Sequence, residues 1–220
     1  LVSAGVVDEH NRLIGRITAD DIVWVLQEEA EEDILRLGGL TESETNKSIV
    51  RSTQNRFVWL FVNLLTAILA SYVISLFDAS IEKMVALAIL MPIVVSMGAN
   101  AGTQTLTLTV RSLATKELVD TNRKRIFFRE ILVSVLNGFI FAILTAMTAY
   151  LWFSDGGLSI IVGAAMIINI FSAGLFGFLI PYILYKIKID PALASSVFVT
   201  TITDVFGFLS FLGLASIYLI

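Results

Sequence analysis

Five stretches of this chain are long and apolar enough to cross a lipid bilayer, which leaves little room for any other kind of fold. A hydrocarbon core of about 30 Å takes about 20 apolar residues as a helix. Residues 57–77, 84–110, 126–153, 157–185 and 191–220 all reach that length. Within hydrocarbon the backbone must satisfy its own polar groups, so such spans fold as helices. The expected class is an all-α polytopic membrane protein with five transmembrane helices per protomer, preceded by a short cytoplasmic α+β fragment. Composition agrees: 56% of residues are hydrophobic and 15% charged, against about 25% charged in an ordinary soluble domain.

Charge is concentrated at one end. Eleven of the nineteen acids fall in the first 56 residues, against six Lys or Arg, so residues 1–56 read as a polar appendage on a membrane domain spanning 57–220. The net charge of −4 gives no reason to expect a nucleic-acid partner. The chain has no cysteine, which excludes disulfides and thiolate metal sites. It opens LVSAGVVDEH, without an initiator Met or a signal-peptide pattern, as expected of a piece of a longer protein.

Within the appendage, residues 2–7 and 13–18 read as two short strands joined by a turn at 8–11. Thr18 or Asp20 is placed to cap a helix through IVWVLQEEAEEDILRL that stops at Gly38 and Gly39. Two strands and one helix cannot bury a core alone, so the missing portion is expected upstream. The helix packs Glu28, Glu29, Glu31, Glu32 and Asp33 into six positions. A solvated face is the plain reading of such a run; the sharper one is a sensor whose self-repulsion a cation screens. Thr41 with Glu44 reads as a capping box opening a further short helix. The sole histidine, His10, lies in the turn and reads as solvated.

Orientation follows from Lys and Arg in the short loops. The connection after the second span carries Arg111, Lys116, Arg123, Lys124, Arg125 and Arg129, and the one after the fourth carries Lys186 and Lys188. The first loop has only Lys83, and the third has no basic residue. Both basic loops are therefore expected in the cytoplasm, with the N-terminal appendage beside them and Ile220 outside. Trp59, Tyr182 and Tyr185 then fall near the inner interface, and Tyr150, Trp152 and Tyr218 near the outer one. The expected location is the plasma (inner) membrane.

Asp204 is the only charged residue between Ala192 and Ile220. An ionised side chain at membrane depth is expensive, so by default it faces a cavity, a partner or an ion. With Asp190 as cap and Pro191 at the first helical position, Asp204 lies about 20 Å into the last helix at 1.5 Å per residue. Helical steps back from it reach Thr200 and Ser196; Thr203 lies alongside and Gly207 one turn on. This stripe is small and hydroxyl-bearing, whereas Phe198, Val205, Phe206, Leu209 and Leu212 point elsewhere. No Lys, Arg or His lies deep in the five spans to serve as counter-ion. A structural acid bonded to a neighbouring helix is the alternative to one that serves a cation or a proton.

The second span offers a companion pattern. Ser96, Asn100 and Gln104 recur every four residues as one polar ridge, and Pro92 interrupts the backbone ladder at its start. Gly98 and Gly102 make a small-xxx-small face on which another helix can approach closely. Asn137 and Asn169 are weaker signals, and Gly174 with Gly177 reads as packing.

The run from Pro92 to Gln104, PIVVSMGANAGTQ, followed by TVRSLA from Thr109, resembles the second-helix signature of the MgtE family of magnesium channels and transporters. Asp190-Pro-Ala-Leu-Ala-Ser with Thr200-Thr-Ile-Thr-Asp204 resembles that family's fifth helix. Residues 1–23 resemble the closing half of a CBS domain, and the acidic segment 24–56 resembles the family's plug helix and its connection. The chain departs from the family pattern at Ala99, where a second Gly is usual, at Thr103, where Asn is usual, and at Ser196-Val197, where Gly-Pro is usual.

The resemblance implies a homodimer in the lipid bilayer, with a pore between protomers that conducts Mg²⁺ into the cytoplasm. Asp204 then occurs twice about the two-fold axis and holds a hydrated ion through its waters, with oxygens of Thr200 and Ser196 extending the path. It also implies regulatory Mg²⁺ among the acids Glu28, Glu29, Glu32 and Asp33, closing the pore when internal Mg²⁺ is ample. The chain is not expected to be an enzyme; an intramembrane aspartyl protease needs two acids at depth, and one is present. A proton- or Na⁺-coupled secondary transporter using Asp204 as the coupling carboxylate and a non-transporting receptor are the competing readings.

Overall fold

In a computed structural model, residues 2–40, 48–119 and 121–219 are described, except for the side chains of residues 29, 30, 33, 193 and 194. The capping box expected at Thr41 and Glu44 lies outside the described residues.

The N-terminal strands β1 (Ser3–Val7) and β2 (Leu13–Thr18) pair antiparallel. Asp8 closes the turn, its Oδ1 accepting from the amides of His10 at 2.9 Å and Arg12 at 2.8 Å. Helix α1 (Ala19–Leu37) follows directly. Of the two caps expected, Thr18 serves: its hydroxyl accepts from the Asp21 amide, and the Asp21 carboxylate accepts from the Thr18 amide at 2.8 Å. The helix stops at Gly38, as expected. Ile14 and Trp24 remain 66% and 73% exposed, which fits a hairpin and helix too small to bury their own apolar surface.

The apolar stretches form α2 (Ile49–Ser75), α4 (Ala86–Ala114), α5 (Arg123–Phe153), α6 (Gly156–Lys186) and α7 (Pro191–Tyr218). All five contain windows long and apolar enough to span a membrane. Hydropathy marked the start of the first span at 57, yet α2 begins at Ile49, where the Ser48 hydroxyl accepts from the Arg51 amide. Apolarity reports where bilayer contact begins, whereas the cap reports where the helix begins. A short helix, α3 (Asp78–Lys83), fills the first loop and was not expected. Pro92 sits inside α4 without ending it, so the expected interruption is confined to the hydrogen bond that proline cannot donate.

Helix α6 is the centre of the bundle and packs against α4, α5 and α7. Two-thirds of its most apolar window is buried, against 11% of that of α2, which lies on the outside against α7. Leu90, Val94, Met166, Ile170, Phe211 and Leu212 meet in the main core. Glycines set the close approaches. Gly174 lies against Ser134 on α5, and a Cβ on Gly177 would come within 2.9 Å of the Gly102 carbonyl oxygen on α4. With little hydrophobic drive between helices in lipid, such small-residue contacts supply the packing.

Candidate functional site

Helix α7 starts at the Asp190 cap, whose Oδ1 accepts from the Ala192 amide at 2.9 Å. From there its pitch carries Ser196, Thr200 and Asp204 along one edge of the face that packs into the bundle. Thr200 is exposed, and Ser196 and Asp204 are half-buried. The Thr200 hydroxyl donates to the Ser196 carbonyl at 2.9 Å, and the Thr203 hydroxyl donates to the Thr200 carbonyl at 2.9 Å. Once its proton is used inside the helix, the Thr200 oxygen presents only lone pairs outward, the polarity a cation or its hydration water requires. Among the described residues, no hydrogen-bond or ion-pair partner meets the Asp204 carboxylate.

Ser96, Asn100 and Gln104 occupy one exposed edge of α4, where Asn100 Nδ2 stands 3.5 Å from Ser96 Oγ. Thr103 and Thr107 are exposed on the same helix, each hydroxyl donating to the carbonyl four residues back. Two glycine contacts fix the register between α4 and α7. Gly102 abuts Val199 and Thr203, while Gly207 abuts Val95 and Asn169. The helices therefore run antiparallel with Asp204 level with the stretch of α4 around Asn100. The two polar edges expected from the sequence thus share a depth in the bundle.

Behind them lies Asn169 of α6, fully buried. Its amide nitrogen donates to the Val94 carbonyl at 2.8 Å, and its Oδ1 has no partner. Gly98 of α4 and Gly207 of α7 both press on this amide, which makes Asn169 the point where three helices meet. The sequence marked Asn169 only weakly; its signal was an amide in a helix whose neighbours carry glycines. Asn137 is exposed and stands apart from this junction.

The last turn of α1 docks at the start of α7. Arg36 bridges Glu32, one turn back, and Asp190, the α7 cap. Leu37 packs on Leu106, Val110, Ala192 and Val199, and Gly39, at φ +78°, lies against the Trp59 ring. This docking escaped the sequence reading, since a lone Arg following five acids reads as a helical neighbour pair. Of the acids expected to sense an ion, Glu28 is exposed, Glu32 is held by Arg36, and the side chains of Glu29 and Asp33 lie outside the described residues. Among the described residues no three His, Cys, Asp or Glu side chains converge as a metal cluster.

A sequence model of the MgtE family, described as a divalent cation transporter, matches residues 91–214. That match contains Ser96, Asn100, Gln104, Ser196, Thr200 and Asp204 and excludes α1. The chain is similar to the magnesium transporter MgtE of Thermus thermophilus, at 35% identity over 217 residues, 97% of this chain and 48% of that protein. It is also similar to the magnesium transporters MgtE of Bacillus subtilis, 32% identical over 97% of this chain and 48% of that protein, and of Enterococcus faecalis, 30% identical over 97% and 47%. The chain spans about half the length of these relatives.

Proposed function

The chain belongs to the MgtE family of divalent cation transporters, and we propose that it conducts hydrated Mg²⁺ into the cytoplasm through a pore between two protomers. The observation that carries this reading is Asp204, a carboxylate without a basic partner among the described residues, midway along an apolar helix and in line with Thr200 and Ser196. That edge is only partly covered by the chain's own helices, with Thr200 exposed and Ser196 and Asp204 half-buried, although it holds hydroxyls at membrane depth. A second copy placed against it brings two carboxylates together about a two-fold axis. Mg²⁺ dehydrates reluctantly, so a wide two-carboxylate ring binds it through its waters and releases it again.

The exposed edge of α4 lies at the same depth, so Ser96, Asn100 and Gln104 are assigned to the wall of the same path. The side carrying α1 and the two basic loops is assigned to the cytoplasm. Residues 1–23 are assigned to the end of a CBS-like domain, 24–56 to the plug and its connection, and 57–220 to the pore domain. Gating by cytoplasmic Mg²⁺ acts through α1, whose last turn is tied to the cap of α7 by Arg36. Because Glu32 is already held by Arg36, the acids of α1 serve as charge to be screened more readily than as a closed ligand set.

The test is Mg²⁺ uptake into proteoliposomes by the full-length protein and its Asp204→Asn variant. Uptake that follows the Mg²⁺ gradient and falls at least tenfold in the variant supports the pore. Equal uptake by both proteins defeats it. Uptake that instead tracks an imposed pH or Na⁺ gradient moves Asp204 to the coupled-transporter reading.

A further inference from the structure

On the α1 side of the bundle, the two basic loops do more than carry charge: they wall a cavity of about 810 Å³. Leu118 and Val119 from the α4–α5 connection form one wall, and Tyr185, Lys186, Lys188 and Ile189 from the α6–α7 connection form another. Tyr182 stands between this cavity and a second slot of about 180 Å³, lined mainly by Phe127, Phe178 and Leu179, with Arg123 and Lys124 at its rim. The Tyr182 ring is a fixed partition. Its hydroxyl accepts from the Arg123 guanidinium, its face lies 5.2 Å from that group and 5.4 Å from the Lys186 ammonium, and it stacks on Phe178.

Among the described residues the free charges on these walls are basic. Among the described residues the one acid lining the larger cavity is Asp190, and its carboxylate is taken up by Arg36 and by the Ala192 amide. Among the described residues Lys186 and Lys188 have no ion-pair partner. Lys188 also holds the left-handed conformation, at φ +61°, after the last turn of α6. Its amide donates to the Tyr185 carbonyl at 3.1 Å and the Ile189 amide to the Leu184 carbonyl at 3.0 Å, a helix end at which glycine is usual. Basic loops that served orientation alone would leave their cations dispersed in water; here one cation from each side, Arg123 and Lys186, meets at the Tyr182 ring at the end of two membrane helices.

We propose that this pair of cavities binds an anionic phospholipid, with its phosphate between Lys186 and Lys188 and an acyl chain entering the Phe127–Phe178–Leu179 slot beyond Tyr182. Cationic pockets between membrane helices at the interface select anionic headgroups. The apolar slot one aromatic ring away favours a lipid over a free phosphate, which has nothing to place there. Asp190 lines the larger cavity and caps α7, so an occupant touches the linker that starts the Asp204 helix. The site stands whether or not the protein conducts Mg²⁺, because its readout is lipid binding.

Native mass spectrometry of the full-length protein, titrated with phosphatidylglycerol, phosphatidylcholine or inorganic phosphate, tests it. Phosphatidylglycerol is expected to be retained over phosphatidylcholine and to survive an equal concentration of phosphate. The K186Q/K188Q variant is expected to hold it about tenfold or more weakly, and K186R/K188R to hold it as the parent does. Both lysines are exposed, so neither change threatens the fold. Unchanged retention in K186Q/K188Q, equal retention of phosphatidylcholine, or displacement by phosphate alone each overturns the proposal.

Discussion

Arg36, in the last turn of α1, is ion-paired to Asp190, the residue that caps α7, across 154 positions of sequence. One carboxylate thus does two jobs: Oδ1 caps the helix that carries Asp204, and Oδ2 ties that helix to the acidic one. Both partners are about 30% exposed, so the pair contributes about 1 kcal/mol and not the value of a buried one. Asn is as good a cap as Asp, so Asp190→Asn separates the two jobs. A double-mutant cycle of Arg36→Ala and Asp190→Asn, read by chemical denaturation, should give a coupling of about 1 kcal/mol. In flux assays both single variants should need a higher internal Mg²⁺ concentration for closure; additive behaviour with unchanged closure would show that the pair is only a surface contact.

At the three-helix junction, the hydrogen a Gly98→Ala substitution replaces is where the Asn169 amide lies. The amide cannot retreat freely, because its nitrogen is bonded to the Val94 carbonyl and Gly207 also presses on it. Overpacking of this kind costs about 1–3 kcal/mol, so Gly98→Ala should lower the midpoint of thermal unfolding by several degrees. Gly156→Ala, at the start of α6 with open space around its Cβ, is the control and should be close to neutral. Equal midpoints for the two variants would mean that α4 and α6 pack more loosely than described.

The Thr18–Asp21 box should make the start of α1 sensitive to acid. The Thr18 hydroxyl, then the Thr18 amide, holds the Asp21 carboxyl below its ordinary value near 3.8. A depressed folded pKa means stabilisation that is complete above the unfolded value of about 3.9 and is lost as pH falls through the folded one. Hydrogen exchange at the first turn of α1 should therefore accelerate as pH falls below about 4, once corrected for intrinsic rates. Asp21→Ala should already exchange fast at pH 6 and show no such step; a step that persists in it would assign the effect to another group.

Much of this was open to reading along the chain because the bilayer imposes a length and the helix imposes a pitch. Five spans, the Asp190–Pro191 start of α7, the Thr18 cap and the alignment of Ser196, Thr200 and Asp204 all follow from local rules. What escaped were relations between segments distant in sequence. Nothing in the spacing says that Arg36 reaches Asp190, that Asn169 is the junction against which Gly98 and Gly207 close, or that two basic loops share a cavity around Tyr182. Span starts and helix starts differ where polarity and helicity part company, as at Ile49, since hydropathy reports the bilayer and not the hydrogen-bond ladder.

Thr200 offers the sharpest separation of site chemistry from packing. Its side chain is exposed and its proton is committed to the Ser196 carbonyl, so its oxygen is an acceptor facing away from the bundle. Thr200→Val keeps the shape and removes only that oxygen, leaving the helix its own ladder bond at Ser196. If the oxygen orders the waters of a passing ion, its loss is worth roughly 1 kcal/mol, or about fivefold in Mg²⁺ flux at low concentration. Thr200→Ser restores the oxygen and should restore the flux, and neither change should move the unfolding midpoint by more than about a degree. A Val variant that conducts like the parent would place the ion path elsewhere than along Ser196, Thr200 and Asp204. A Val variant that unfolds early would make Thr200 a packing residue, and the edge of α7 that carries it would then be a seam between helices and not a wall facing water.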